Sequence, residues 1–443
     1  MTRIYDLLLM NGQVLCPWGL VETNIAVKEG YIAELGDPPQ GKAHEVIDCT
    51  GLVILPGVID TQVHFREPGQ EHKEDLESGS RAAVMGGVTA LFEMPNTNPP
   101  TTTRQRLQEK LDLAHGRMWC DHAFYIGASA DNIDELADLE LMAGCCGIKL
   151  FMGSSTGSLL VDDDEALDGL FKSGRRRIAI HAEDNARLES RKNLTIEGHP
   201  QTHPIWRDTI SALAATHRAI KLARQHNRLV HILHVSTEEE MKFLAQHKDI
   251  ATVEATPQHL IMSAPDCYDR LGTLAQMNPP IRSEQNRQGL WQWLHQGVVD
   301  IVATDHAPHT LEEKQALYPN SPSGMPGVQT LLPLMLNAVH QNQISLVHMV
   351  ELISAAPARV FGIEGAGRIV VGARANFSVV DLNSKFTIEE DWLASRCGWS
   401  PFTGTEVTGK PIGTVIRGHR VMWDGAVIGT PIGDPISFLD TRL

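Results

Sequence analysis

Nowhere does this sequence run for the roughly 20 apolar residues that a membrane-spanning helix requires, so no span is expected. Basic charge is also scarce. Lysine and arginine number 38 against 54 aspartates and glutamates, a net charge of −16, which argues against a nucleic-acid partner. The densest basic run, Arg175-Arg176-Arg177, reads as a solvated loop ahead of a strand. None of the seven cysteines belongs to a Cys-x-x-Cys pair, so neither a disulfide framework nor a thiolate zinc site is expected. The opening residues MTRIYDLLLMNGQVL hold a short apolar run but no small-residue cleavage site. Cytoplasm is the expected compartment.

What the sequence has is length and rhythm. Its 443 residues, 42% apolar and 21% charged, suit a large globular barrel with a modest appendage. Residues 1–52 alternate short strand-like runs with turns such as Asn11-Gly12, and the stretch after 367 does the same. Two β-rich ends around a long middle imply one small composite β-sandwich domain, built from 1–52 and 367–443. The middle, 53–366, carries eight apolar runs: VILPGVIDTQVHF, GVTALFEMPN, CDHAFYIGAS, CGIKLFMG, RIAIHAED, LVHILHVST, IATVEATPQHL and VVDIVATDHAPH. Stretches with helical spacing, early acidic or capping residues and terminal glycines separate them. Continuous apolar strands alternating with helices predict a parallel sheet covered on both faces. Eight of them predict an α/β chain closed into a (β/α)8 barrel of the TIM type.

Polar residues fall where those runs end. His64 and Arg66 follow the first, Asn96 the second and His181 the fifth; His234 ends the sixth, and Asp305 and His309 the eighth. Barrel enzymes build their sites at that carboxyl-terminal face. On the first strand Gln62, His64 and Arg66 share one side. An imidazole and a guanidinium there are costly unless ligated or paired. His64 thus reads as a metal ligand beside an anion clamp, or else as a solvated strand end. His64, His181, His234 and Asp305 together offer the nitrogen and carboxylate donors of a zinc-like ion with an open position. Such an ion generates hydroxide near neutral pH, and a neighbouring carboxylate can carry the proton to a leaving nitrogen. Metal-assisted hydrolysis of an amide-type bond follows. Lys149 lies inside an apolar strand. Either its ammonium reaches solvent or a carboxylate, or burial leaves a neutral amine. Carboxylated by carbon dioxide, that amine would offer two anionic oxygens able to bridge two metals.

The strings VHFREPG, EMPNTNPP, GIKLFMG, HAED, LHVST, MNPPIR, ATDHAPH and SGMPGV, in this order from about residue 50 to residue 405, resemble those of the dihydroorotases. These belong to the cyclic-amidohydrolase branch of the amidohydrolase superfamily. The resemblance implies the barrel with its composite β domain and the interconversion of N-carbamoyl-L-aspartate and dihydroorotate, an early step of pyrimidine synthesis. It makes His64 a ligand of one metal and His181 and His234 ligands of a second. Carboxylated Lys149 would bridge them, and Asp305 would both bind metal and shuttle the proton. Arg66, Asn96 and His309 match groups that hold the substrate carboxylate. Asn278 matches a substrate-binding position, and Met325-Pro326-Gly327 a pocket loop. It further implies zinc and a homodimer, and relatives acting on hydantoin or allantoin lack the paired REPG and MPNTNPP strings.

This sequence departs from the family pattern in three places. Gln62 stands where the first strand usually has histidine, Gln258 where histidine is frequent, and Gln276 where lysine is common. A neutral amide oxygen ligates poorly, so one firm zinc and a doubtful second are expected. The same departure keeps open a non-catalytic subunit that scaffolds aspartate carbamoyltransferase. A cyclic amidohydrolase acting on another ring is the third reading. His72 reads as a surface residue, and the small-residue loop GSSTGSLLVD as a candidate cover for the site.

Overall fold

The computed structural model describes residues 4–36, 41–154 and 159–442. Part of the candidate cover, 155–158, lies outside them. Eight parallel strands form the centre: β1 (Val58–Val63), β2 (Val88–Glu93), β3 (Asp121–Gly127), β4 (Cys145–Phe151), β5 (Ile178–His181), β6 (Val230–Ile232), β7 (Ala251–Ala255) and β8 (Ile301–Val302). They pair in sequence order. The ring closes where Val63 bridges His306 and the His64 N–H donates to the His306 carbonyl at 2.7 Å. Every residue of the eight strands is buried, which is why each reads as an unbroken apolar run. Cys145, one residue ahead of the predicted run CGIKLFMG, belongs to β4 as well.

Helices cover the outside, and their starts bear out the capping signals. Asp75, Asp163, Asp208 and Thr237 each accept a backbone N–H from the first turn of their helix. The stretch DNIDELADLELMAG is shorter than its pattern predicts, a 3-10 turn followed by Leu136–Leu139. The bore is filled from below: Ile59, Phe92, Tyr125 and Ala179 cluster with Phe438 from the C-terminal segment, and Phe361 packs edge-on against Phe92 at 5.0 Å. Arg176 differs from the solvated residue predicted. It is buried, and its guanidinium donates to the Glu140 and Cys145 carbonyls and pairs with Asp440.

The second layer is a nine-stranded sheet assembled from both ends of the chain. Ile4–Cys16 pairs antiparallel with Gly19–Lys28 and parallel with Lys42–Asp48 and Val53–Pro56. Phe377–Thr387 pairs antiparallel with Val53–Pro56 and carries the C-terminal strands beyond it. The run VILPGVIDTQVHF is therefore two strands. Val53–Pro56 belongs to this sheet, and the chain turns at Gly57 into β1. A Cβ on Gly57 would stand 2.2 Å from the Thr89 hydroxyl, so only glycine lets the chain pass β2 this closely.

Candidate active site

At the carboxyl-terminal face, a pocket is lined by Gln62, His64, Lys149, Phe151, His181, His234, Asn278, Asp305, Ala307, Ser323 and Gly324. Residues from β1, β4, β5, β6 and β8, up to 243 positions apart in sequence, thus meet in one pocket. His234 and Asp305 have positive φ angles of 38° and 47°, and Arg66 one of 66°. Such conformations cost non-glycine residues about 1–3 kcal/mol and concentrate at functional sites.

The donors stand in two pairs. His181 Nδ1 and His234 Nε2 are 3.1 Å apart, and His64 Nε2 and Asp305 Oδ1 are also 3.1 Å apart. Two ligands on a tetrahedral zinc, each about 2.0–2.1 Å from the ion, are separated by about 3.3 Å. His181 donates from Nε2 to Glu183 at 2.9 Å, which leaves the lone pair on Nδ1. His64 donates from Nδ1 to Asn96 Oδ1 at 2.8 Å, which turns its Nε2 lone pair onto a carboxylate oxygen. Burial pulls the pKa of all three imidazoles down, favouring the neutral ligating form. A cation placed between the atoms of either pair would take a lone pair from each. His234 Nδ1 has no hydrogen-bond partner. Among the described residues, no three His, Cys, Asp or Glu side chains converge on one ion. Each pair is thus short of a donor, and Lys149 stands close enough to affect all three imidazoles.

Lys149 is 1% exposed, its Nζ lies 4.5 Å from the centre of the Phe151 ring, and it has no ion-pair partner among the described residues. Burial pulls its pKa down to about 7, against the raising influence of Asp305 and Glu254. The reading in which its ammonium reaches solvent or pairs with a carboxylate does not describe this residue.

Three predicted site residues stand behind the cavity wall. Asn96 Oδ1 is engaged by His64. Arg66 donates from Nε to the Pro308 carbonyl at 3.0 Å, and its Nη2 faces His309 Nε2 at 3.2 Å, next to the Ser323–Gly324 wall. Asn278 reaches the cavity and accepts from His203 at 3.0 Å. The pocket loop is represented by Ser323 and Gly324; of the predicted Met325-Pro326-Gly327, Gly327 donates its N–H to His306 Nδ1 at 3.0 Å. His72 is exposed, as expected.

Sequence reasoning missed the residues that hold these side chains. Arg207 Nε donates to both Glu183 oxygens at 3.2 and 3.1 Å, and its Nη2 donates to the Ser154 carbonyl at 2.7 Å. Although burial acts to raise the Glu183 pKa, Arg207 and His181 hold that carboxylate well below its usual range. Glu254, which burial pushes up to about 8, accepts from Thr61 and from the His234 backbone. Lys314 donates to the Gln276, Pro322 and Gly324 carbonyls at 3.1, 2.8 and 3.0 Å, and the Gln276 amide clamps Ser321 and Ser323. Only Glu183 left a trace in the sequence, two residues after His181 in the string HAED.

Comparison with known proteins agrees with this architecture. Residues 53–421 match the model of the Amidohydrolase family. The chain is 35% identical over 434 residues to a dihydroorotase of Pyrococcus furiosus, covering 97% of this chain and 95% of that protein. It is 39% identical over 383 residues to the dihydroorotase of Halobacterium salinarum, covering 85% and 87%. Among solved structures, an L-hydantoinase (dihydropyrimidinase) from Arthrobacter aurescens superimposes with a TM-score of 0.92 at 28% identity over 98% of this chain and all of that one. A barrel with its site at the strand ends, a sheet drawn from both termini and these relatives together show that the chain belongs to the amidohydrolase family, on its dihydroorotase branch.

Proposed function

We propose that this chain opens dihydroorotate to N-carbamoyl-L-aspartate and closes it again, with one firmly held zinc. The observation that carries this reading is the pair of imidazole nitrogens, His181 Nδ1 and His234 Nε2, at ligand spacing in the same cavity as buried Lys149. His181, His234 and carboxylated Lys149 would hold the ion. When bound, it supplies a water acidic enough to attack near neutral pH and polarises the ring carbonyl. A pKa near 7 gives Lys149 the neutral amine that reaction with carbon dioxide requires.

The chain's own residues do the rest. In hydrolysis one water adds to the ring amide carbon, the carbon–nitrogen bond breaks, and the nitrogen receives a proton. Asp305 moves that proton. Its Oδ1 is held by Gln62 Nε2 at 2.9 Å and faces His64, which leaves Oδ2 to take a proton from water and return it to nitrogen. Arg66 and His309 would receive the substrate carboxylate and Asn278 the ring, while Asn96 fixes the tautomer of His64. Gln62 spends its amide on Asp305, and its Oε1 is a buried neutral oxygen with no partner. The His64–Asp305 side therefore lacks the imidazole that would complete a second firm site. A homodimer belongs to the same proposal and is checked by light scattering.

Metal analysis combined with ring-opening assays on dihydroorotate, hydantoin and allantoin tests the reading. About one zinc per chain with turnover of dihydroorotate is expected. Turnover of hydantoin alone would favour the ring of the structural neighbour instead. Absence of both metal and turnover would leave the scaffold for aspartate carbamoyltransferase.

A further inference from the structure

The charge around His309 is lopsided. Arg66 is 3% exposed, and no carboxylate stands within ion-pair distance of it among the described residues. Lys73 Nζ approaches His309 Nδ1 at 3.1 Å, and Lys314, which burial brings down to about 7, adds to the positive field at the ring in its charged form. Against these stands one carboxylate, Glu313, 3.2 Å from Lys73 Nζ, 3.6 Å from His309 Nδ1 and shared with His72. Burial and the neighbouring cations keep the His309 imidazole neutral.

An ammonium can only donate, so His309 Nδ1 accepts from Lys73 and the ring proton sits on Nε2. That N–H donates to the Ser323 carbonyl at 3.1 Å and lies 3.2 Å from Arg66 Nη2, which is also a donor. Two donors this close repel unless an acceptor satisfies both. They sit against the cavity wall: a Cβ on Gly324, a lining residue, would be 3.1 Å from His309 Nε2. Remove Lys73, and the ring can place its proton on Nδ1, toward Glu313. Nε2 would then become a lone pair, engaging Arg66 and repelling a carboxylate.

We propose that Lys73 is a positioning residue for carboxylate recognition: by donating to His309 Nδ1 it keeps an N–H on Nε2 beside the Arg66 guanidinium, a double donor fitted to the carboxylate of an anionic ring. The inference rests on the dihydroorotase reading above and names what separates such a substrate from a neutral ring.

Wild type, Lys73→Met and Lys73→Arg are compared by calorimetric binding of orotate, the unsaturated ring carboxylate, and of 5,6-dihydrouracil, which lacks the carboxylate. Loss of one charge-assisted contact should weaken orotate binding of Lys73→Met on the order of tenfold. KM for dihydroorotate should rise with little change in kcat, and Lys73→Arg should recover most of the loss. Binding of dihydrouracil should not change. The Lys73 side chain is largely buried, so a shared melting temperature is required to confirm that the variants fold. Wild-type orotate affinity in Lys73→Met, or equal losses for both rings, would overturn the inference and leave the reaction standing. A wild-type protein that neither binds orotate nor opens dihydroorotate would sink the proposed function and take this inference with it.

Discussion

Gln62 is the residue on which the metal count turns. Its Nε2 sits 2.9 Å from Asp305 Oδ1, where an imidazole at the same position could offer a lone pair to an ion. Gln62→His should therefore raise bound zinc from about one toward about two per chain, since imidazole is a far better zinc donor than a neutral amide. Elemental analysis after dialysis reads the result. An unchanged stoichiometry would show that the His64–Asp305 pair is limited by something other than residue 62. The same substitution frees Asp305 from its amide partner, so any change in kcat is to be read beside the metal content.

At the scale of elements, the two family strings at the first and second strand ends turn out to be one packed unit. Gly69, closing REPG, has φ +97°, and a Cβ there would lie 2.0 Å from the backbone oxygen of Asn98 in MPNTNPP. The loops carrying Arg66 and Asn96 are locked together by this approach. Gly69→Ala should cost about 2–4 kcal/mol, combining strain at positive φ with a backbone clash. Urea denaturation measures it, and a loss below 1 kcal/mol, about the ordinary effect of a surface change, would mean the loops separate easily. How far such elements could be read in advance depended on the range of the interactions. Eight buried parallel strands write themselves as apolar runs, so the barrel and the meeting of His64, His181, His234 and Asp305 at the strand ends were legible. Arg207 was not, because its partner Glu183 lies 24 residues away and its own surroundings follow no strand or helix period. Lys73 and Lys314 belong to no motif in the sequence; their contacts with His309 and the Ser321–Gly324 loop give them a role. Pro56-Gly57 marks a break in the first run, but two equally apolar halves gave no sign of belonging to different sheets.

The whole molecule stores neutral histidines. Burial pulls His203 and His231 down to about 3 and His259 down to about 4, from an ordinary 6.5. Below pH 6.5 the unfolded chain binds protons at these positions that the folded chain refuses. Their contribution to stability is therefore complete above that pH and is lost as pH falls toward 4. Three such groups give a slope of up to about 4 kcal/mol per pH unit. The buried carboxyls of Asp60, Glu93 and Glu254, which burial pushes up to about 7, 7 and 8, act in the opposite sense over the same window. The test is therefore a difference between proteins: His231→Gln should change the slope of urea-measured stability against pH by about one proton relative to wild type. An unchanged slope would mean that the His231 ring is charged in the native state.

The sheet woven from both termini has its own consequence for how the chain is made. The Val58 N–H is held by the Ser378 hydroxyl, 320 positions later, and Phe377–Thr387 is the strand that covers Val53–Pro56. At ribosomal speeds of about 5–20 residues per second, the amino-terminal strands wait roughly 15–65 s for that neighbour. Through this interval they present an open hydrogen-bonding border to every other nascent chain. Crowded synthesis therefore favours pairing between copies, and a transcript cut short before residue 377 yields a protein whose border never closes.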